Sequence, residues 1–175
     1  MSNETIGTVM INQQEIYDRA AEIGKKIEED FKGEPIVLVG ILRGAVLWMA
    51  DIMKSVNLEM TIDFMAVSSY GSGKTSSGIV KINKDLDTDI EGKNVIIVED
   101  IVDSGTTLNY LKGYFESRKA KAVKICTLLD KPAGRKVDID VDYIGFTVDD
   151  RFIIGYGLDY DQKYRNLPYI SFLED

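Results

Sequence analysis

The chain has no histidine among its 175 residues and only one cysteine, Cys126. The absence of histidine excludes a Ser-His-Asp triad, a Cys-His dyad and a His-ligated zinc site. One cysteine cannot form an internal disulfide, and the apolar residues around Cys126 predict a thiol buried in a strand. Any metal ion bound here is therefore expected to be held by oxygen atoms.

Long apolar runs are also absent, and no segment approaches the roughly 20 apolar residues that span a bilayer. Residues 1–5 lack the basic and apolar parts of a signal peptide, so we expect a cytoplasmic protein without a membrane partner. The net charge of −8 argues against nucleic acid as the main ligand, because proteins that bind it usually carry a basic surface.

The composition is that of an ordinary globular domain, with 45% apolar and 29% charged residues. Apolar spacing predicts helices over residues 12–31 and 44–55, and strands over 36–41, 60–69, 79–83, 95–98, 122–129, 143–147, 152–155 and 168–173. This alternation predicts an α/β fold with a mainly parallel sheet and right-handed crossovers. We expect one domain over residues 1–175, with a core over about 12–130 and a loop-rich cap mostly within about 131–175.

The most informative segment covers residues 95–107. An apolar β-branched run, suited to a buried parallel strand, is followed by the adjacent acids Glu99 and Asp100. Small polar residues then suit a tight turn that leads into the first turn of a helix, in the order Asp103, Ser104, Gly105, Thr106 and Thr107. Ligands bind beyond the carboxyl ends of such strands, and free amides at a helix start favour phosphate. Acids beside a phosphate site indicate a sugar phosphate with a divalent metal ion.

This segment resembles the signature of the type I phosphoribosyltransferases, which bind 5-phosphoribosyl-1-pyrophosphate. The resemblance implies a Rossmann-like sheet with flanking helices and a small hood formed largely by the C-terminal segment. It also implies that Glu99 and Asp100 orient the ribose hydroxyls or contact Mg²⁺, and that Asp103 accepts a proton from the base. The residues implied to bind the 5′-phosphate are Ser104, Gly105, Thr106 and Thr107.

Two further segments fit this resemblance. Leu42, Arg43 and Gly44 follow a buried strand and open a helix, as the family's pyrophosphate loop does, and the sequence leaves open whether the Leu42–Arg43 peptide bond is cis. Residues 71–75 end in Gly-Lys-Thr like a P-loop, but position 68 is serine where the pattern needs glycine. With Ser69 and Tyr70 at its base, this stretch instead resembles the flexible loop that closes over the reaction centre in the family.

Three motifs in the C-terminal third, at residues 129–132, 150–160 and 164–168, narrow the resemblance to the hypoxanthine-guanine phosphoribosyltransferases. The resemblance covers residues 36–170. It implies that Lys131 donates to the 6-oxo group of the purine, that Phe152 stacks on the base and that Ile153 reads the base edge through its backbone. It also implies that Asp159 lies near the purine and a magnesium ion, and that Arg165 reaches pyrophosphate.

The function implied by this resemblance is purine salvage. The phosphoribosyl group would move to hypoxanthine, and to guanine, with Mg²⁺ as cofactor, small molecules as substrates, and a homodimer or homotetramer as the assembly. Two alternatives stay open: a xanthine-preferring enzyme, and an RNA-binding regulator on the same fold, which the acidic charge disfavours. The ranking of hypoxanthine against guanine also stays open.

Overall fold

A computed structural model describes residues 4–69 and 79–174 of the chain. Its elements in chain order are β1 (Thr5–Ile6), α1 (Gln13–Phe31), β2 (Ile36–Leu42), α2 (Val46–Ser55), β3 (Met60–Ser69), β4 (Val80–Lys84), β5 (Asn94–Val102), α3 (Thr106–Ser117), β6 (Ala122–Asp130), a 3₁₀ turn (Pro132–Gly134), β7 (Tyr143–Thr147), β8 (Ile153–Ile154) and β9 (Ser171–Glu174).

The described strands form a six-stranded sheet, in the order β4-β3-β2-β5-β6-β7, and a small sheet, in the order β1-β9-β8. In the large sheet β3, β2, β5, β6 and β7 run parallel, and only the edge strand β4 is antiparallel to its neighbour. The predicted α/β fold with a mainly parallel sheet is therefore confirmed. None of the helices in the described residues is long and apolar enough to span a membrane.

Helices cover both faces of the large sheet. Successive side chains of a strand point to opposite faces, so that in β2 Ile36 and Leu38 pack in the core beneath α1 and α2. Val37 and Val39 pack in the second core, together with Leu108, Leu111 and Phe115 of α3. This two-sided burial explains why the central strands are apolar at nearly every position.

Local sequence signals account well for the first helix. The Asn12 side chain accepts a hydrogen bond from the Glu15 amide at 2.9 Å, and the Glu15 carboxylate accepts one from the Asn12 amide at 2.8 Å. This capping box fixes the start of α1 beside the predicted boundary. Helix α2 begins at Val46, two residues after the predicted start, because residues 43–45 form the turn that leaves β2.

Several predicted boundaries differ from the structure. Strand β5 runs through both acids to Val102, because Glu99 and Ile101 still pair with β6. Strand β7 belongs to the large sheet, where it pairs with β6, rather than to the cap region in which the sequence placed it. The last strand lies beside the N-terminal segment, as predicted, because β9 pairs with both β1 and β8. The small sheet thus joins the two ends of the chain.

Cys126 is completely buried in β6, which confirms the prediction of a core thiol. Burial raises the pKa of this thiol to about 12, so the thiolate does not form at neutral pH in the folded protein.

Two helical glycines test how closely the helices pack. A Cβ atom at Gly24 of α1 would collide with the Ser55 carbonyl of α2, whereas a Cβ atom at Gly113 of α3 would have open space among the described residues. We expect Gly113→Ala to stabilise the protein by about 1 kcal/mol through helix propensity. Gly24→Ala should destabilise it by about 1–3 kcal/mol despite the same propensity gain. Urea unfolding of both variants would measure this, and equal effects would contradict the close contact of α1 and α2.

Candidate active site

A cavity of about 390 Å³ opens at the carboxyl ends of β2, β3 and β5. This is the position at which parallel α/β sheets bind their ligands. The residues predicted from the sequence that line it are Leu42, Arg43, Gly44, Ser69, Glu99, Asp100, Asp103, Ser104, Gly105, Thr107, Asp159 and Arg165. Segments that are far apart in the chain therefore meet around one space.

Four predicted residues do not line this cavity. Thr106 lies in the first turn of α3, where its amide donates to the Ser104 hydroxyl at 3.3 Å. Ile153 is buried in β8, and Phe152 is 52% exposed, with its ring edge-on to the Tyr160 ring at 5.5 Å. Lys131 lies beside the cavity, next to Asp103. Tyr70, predicted with Ser69 to belong to a flexible loop, falls outside the described residues.

The β5–α3 loop, residues 103–105, carries the features of an anion site. Gly105 is the N-cap of α3, with a positive φ of 80° and no side chain that could cap the helix. The amides of Lys136 and Val137 donate to the Ser104 carbonyl at 2.9 and 3.3 Å, and these two hydrogen bonds tie the loop to the segment after the 3₁₀ turn. Among the described residues, only the first amide of α3, that of Thr106, meets a side chain, the Ser104 hydroxyl at 3.3 Å. The N-cap residue caps none of the following amides, which start beside the cavity, and this arrangement favours an anion.

The β2–α2 loop, residues 43–45, packs tightly against its surroundings together with Leu42 at the end of β2. The Leu42–Arg43 peptide bond is cis, which answers the question that the sequence left open. A side chain at Gly44 would collide with the Asp100 carboxylate, and one at Gly157 would collide with the Gly44 carbonyl. Glycine is therefore required at both positions, because strand β5 and the C-terminal segment approach this loop from two sides.

Glu99 and Asp100 form an acidic pair at the floor of the cavity. Burial, together with the neighbouring Asp100 charge, raises the pKa of Glu99 well above its ordinary value. Burial also raises the pKa of Asp100, although hydrogen bonds to its carboxylate and the Arg165 charge oppose this. The described residues contain no group of three or more His, Cys, Asp or Glu side chains that could hold a metal ion by themselves.

Lys131 lies between two carboxylates. Its Nζ atom is 3.9 Å from Asp103 and 3.3 Å from Asp150, and its side chain is only 14% exposed. A Cβ atom at Gly134 would overlap the Asp103 carboxylate, so the 3₁₀ turn after Lys131 packs directly against Asp103. Arg135, which follows this turn, forms an ion pair with Asp130 at the end of β6 and so ties the turn to that strand. The predicted base reader and the predicted proton acceptor are thus neighbours.

The turn over residues 159–165, here called the C-terminal turn, contributes Asp159 and Arg165, which form an ion pair at 3.1 Å. Gln162, in the same turn, accepts hydrogen bonds from Arg43 and Arg165. Sequence reasoning missed Gln162 and Arg135, and it gave Asp150 no role of its own, although Asp150 lies in the motif at residues 150–160. The contacts of Gln162 with Arg43 and of Asp150 with Lys131 join segments that are distant in the chain, so no local pattern predicts them.

Comparison with known proteins agrees with this geometry. The family model described as the phosphoribosyl transferase domain matches residues 9–161. The chain therefore belongs to the phosphoribosyltransferase family, and its sheet order and loop positions follow from that fold.

Within this family the chain groups with the hypoxanthine-guanine phosphoribosyltransferases. It is 49% identical to the enzyme of that name from Bacillus subtilis over 174 residues, which cover 99% of this chain and 97% of that one. A crystal structure of the Bacillus anthracis enzyme matches with a TM-score of 0.93 at 46% identity, covering 97% of this chain and 100% of that chain. A hypoxanthine phosphoribosyltransferase structure from Staphylococcus aureus matches with a TM-score of 0.94 at 45% identity, covering 97% and 92%.

The acidic pair should reduce the stability of the ligand-free protein. The raised pKa of Glu99 means that its ionised form is disfavoured in the fold, so this penalty is present above the folded-state pKa and disappears as pH falls towards the ordinary value of 4.5. We expect Glu99→Gln to raise the Tm at pH 8 by about 2–4 °C, with a gain that shrinks at acidic pH.

The matched control for that experiment is Glu116→Gln, which removes an exposed carboxylate from α3. Thermal unfolding without added metal ion, at several pH values, provides the measurement. A Tm gain for Glu99→Gln that does not depend on pH would show that the penalty has another origin.

Proposed function

We propose that this chain transfers the 5-phosphoribosyl group of phosphoribosyl pyrophosphate to hypoxanthine and guanine in purine salvage. The products are IMP or GMP and pyrophosphate. The observation that carries the proposal is the meeting of the β5–α3 loop, the β2–α2 loop, the acidic pair and the C-terminal turn around one cavity. The names of the relatives, at 49% identity over nearly the whole chain, support the same activity.

Phosphoribosyl pyrophosphate has three parts, and the cavity offers a group for each. The 5′-phosphate binds at the start of α3, where Ser104, Gly105 and Thr107 in the cavity lining, together with Thr106 of the same turn, supply amides and hydroxyls. The ribose hydroxyls lie against Glu99 and Asp100, which offer only acceptor atoms when ionised. The pyrophosphate binds at Leu42, Arg43 and Gly44 and is reached by Arg165 from the C-terminal turn.

The donor set also fits Mg²⁺. Glu99, Asp100 and Asp159 line the same cavity, and burial raises the pKa values of the first two, so the chain by itself does not fully stabilise their ionised forms. Mg²⁺ commonly uses one or two carboxylates together with substrate phosphates rather than a complete protein cage. When bound, it would offset the charge of the departing pyrophosphate.

In the reaction, the bond from the anomeric carbon to pyrophosphate breaks, and a bond to a purine imidazole nitrogen forms. Asp103 accepts the proton that this ring releases. Lys131 donates a hydrogen bond to the 6-oxo group, which draws electron density from the base and rejects a 6-amino group. Phe152 stacks on the base, Ile153 contacts the base edge through its backbone, and Asp159 lies near the purine.

The proposal also includes a homodimer or homotetramer, a cytoplasmic location and the absence of a nucleic-acid partner. These stay predictions, as does the division of a single domain into a core and a C-terminal cap.

Turnover on different bases is the first test. We expect efficient conversion of hypoxanthine and guanine with phosphoribosyl pyrophosphate, slow conversion of xanthine, and a loss of activity when Mg²⁺ is removed with a chelator. Product formation is followed by the change in ultraviolet absorbance. A clear preference for xanthine would replace the proposal with the xanthine alternative, and full activity in chelator would remove the metal ion from it.

Asp103→Asn tests the proton acceptor. The amide keeps the shape of the carboxylate but is a far poorer base, so the single-turnover rate should fall by about 10²–10⁴-fold while phosphoribosyl pyrophosphate still binds. Asp138→Asn removes an exposed carboxylate from the segment after the 3₁₀ turn and serves as the control. A normal single-turnover rate in Asp103→Asn, or weak binding with unchanged chemistry, would contradict the role.

Lys131→Gln tests the base reader. An ammonium group can only donate, whereas an amide also accepts, so the variant should lose kcat/KM on hypoxanthine and show a smaller preference over adenine. Loss of the charged hydrogen bond should reduce the preference for hypoxanthine over adenine, measured as the ratio of the two kcat/KM values, by the equivalent of about 1.5–3 kcal/mol. Lys136→Gln, at an exposed position nearby, is the control. An unchanged hypoxanthine-to-adenine ratio would mean that another group reads the base.

A further inference from the structure

Gln162 lies between the two arginines that face the pyrophosphate side of the cavity. Its Oε1 atom accepts a hydrogen bond from Arg43 Nη1 at 3.2 Å and one from Arg165 Nη2 at 3.1 Å. Arg43 comes from the loop after β2, and Arg165 comes from the C-terminal turn. One amide oxygen therefore connects the two halves of the proposed pyrophosphate site.

The backbone of the C-terminal turn holds Gln162 at this position. The Gln162 amide donates to the Asp159 carboxylate at 2.8 Å, and Tyr160 and Lys163 exchange two backbone hydrogen bonds of 3.1 and 2.9 Å. Gln162 itself has a left-handed φ of 65°. A non-glycine residue persists in this region only where the surrounding structure imposes it. The placement of Gln162 is thus specified by the turn.

The same turn is fixed against the β2–α2 loop. Gly157 packs on the Gly44 carbonyl so closely that no side chain fits between them. Arg165 Nη1 donates to the Gly157 carbonyl at 2.7 Å, which anchors the guanidinium at this contact. The two segments that carry Arg43 and Arg165 are therefore held together, and the Gln162 oxygen lies between the two guanidinium groups, whose like charges repel each other.

The chemical nature of that acceptor matters for an anionic ligand. Asp159 already pairs with Arg165, and a second carboxylate at position 162 would cancel more of the positive charge. An amide oxygen accepts from both guanidinium groups without adding a charge. Arg165 Nε, which is buried, has no hydrogen-bond partner among the described residues, so not all the donors of this cluster are satisfied within the chain.

We propose that Gln162 is a positioning residue that orients Arg43 and Arg165 towards pyrophosphate while leaving their charges available to it. This inference rests on the proposed function, because it concerns the pyrophosphate half of that same site. Gln162 acts through the two arginines, and it influences the affinity for pyrophosphate and for phosphoribosyl pyrophosphate rather than the affinity for the base.

Three variants separate orientation from charge. Gln162→Glu keeps the size of the side chain and adds a charge, whereas Gln162→Met keeps the approximate size and removes the acceptor. Asn166→Asp is the matched control, because it makes the same amide-to-carboxylate change at an exposed position next to Arg165. The measurements are product inhibition by pyrophosphate with Mg²⁺, the KM values of both substrates, kcat and Tm.

We expect Gln162→Glu to raise the inhibition constant of pyrophosphate and the KM of phosphoribosyl pyrophosphate about tenfold, and Gln162→Met to raise them about threefold. In both Gln162 variants the KM of hypoxanthine and the Tm should stay close to wild type. Asn166→Asp should change the inhibition constant of pyrophosphate and the KM of phosphoribosyl pyrophosphate by no more than about twofold. This separation between the two substrates would not result from a general loss of structure.

Values for Gln162→Glu within twofold of wild type would overturn the inference, as would an equal effect of Asn166→Asp. A parallel rise in the KM of hypoxanthine with a lower Tm would also overturn it, because Gln162 would then be a general structural residue. Failure of the proposed function is distinct, since the wild-type protein itself would then show no turnover and no inhibition by pyrophosphate.

Discussion

The parallel pairing of β2 with β5 at the centre of the large sheet is the constraint on which the site depends. The two strands pair from Ile36 with Asn94 to Gly40 with Val98, so both carboxyl ends leave the sheet at the same edge. The β2–α2 loop and the acidic pair are therefore neighbours, and Gly44 packs against the Asp100 carboxylate. Because both strands are buried on both faces, a change in this register would move apolar side chains as well as the site.

The small sheet completes the site by bringing the end of the chain to this edge. Strand β9 pairs with β1 and β8, and the Tyr156 hydroxyl donates to the buried carboxylate of Asp51 on α2. Gly157, one residue later, touches the Gly44 carbonyl. These contacts explain how Asp159 and Arg165, which follow β8, reach a cavity whose other lining residues all lie within residues 41–108.

The site is built at a cost to stability. Two half-buried carboxylates lie side by side, and left-handed backbone conformations occur at Asp161, Gln162 and Tyr164 in the C-terminal turn. Proteins accept such features where a ligand later supplies the missing charge or contacts. The folded core, in which both faces of the sheet are covered by helices, provides the stability that offsets them.

The sequence by itself determined the elements and the residues at the ends of the central strands. Apolar periodicity, the Asn12 cap and the turn residues after β2 and β5 depend on neighbours within a few positions, so α1, β3 and the residues 42–44 and 99–107 could be predicted. Only the tertiary structure decided the place of β7 in the large sheet, the raised pKa of Glu99 and the position of Gln162 between two arginines. These depend on burial and on contacts between distant segments, which short-range sequence patterns do not encode.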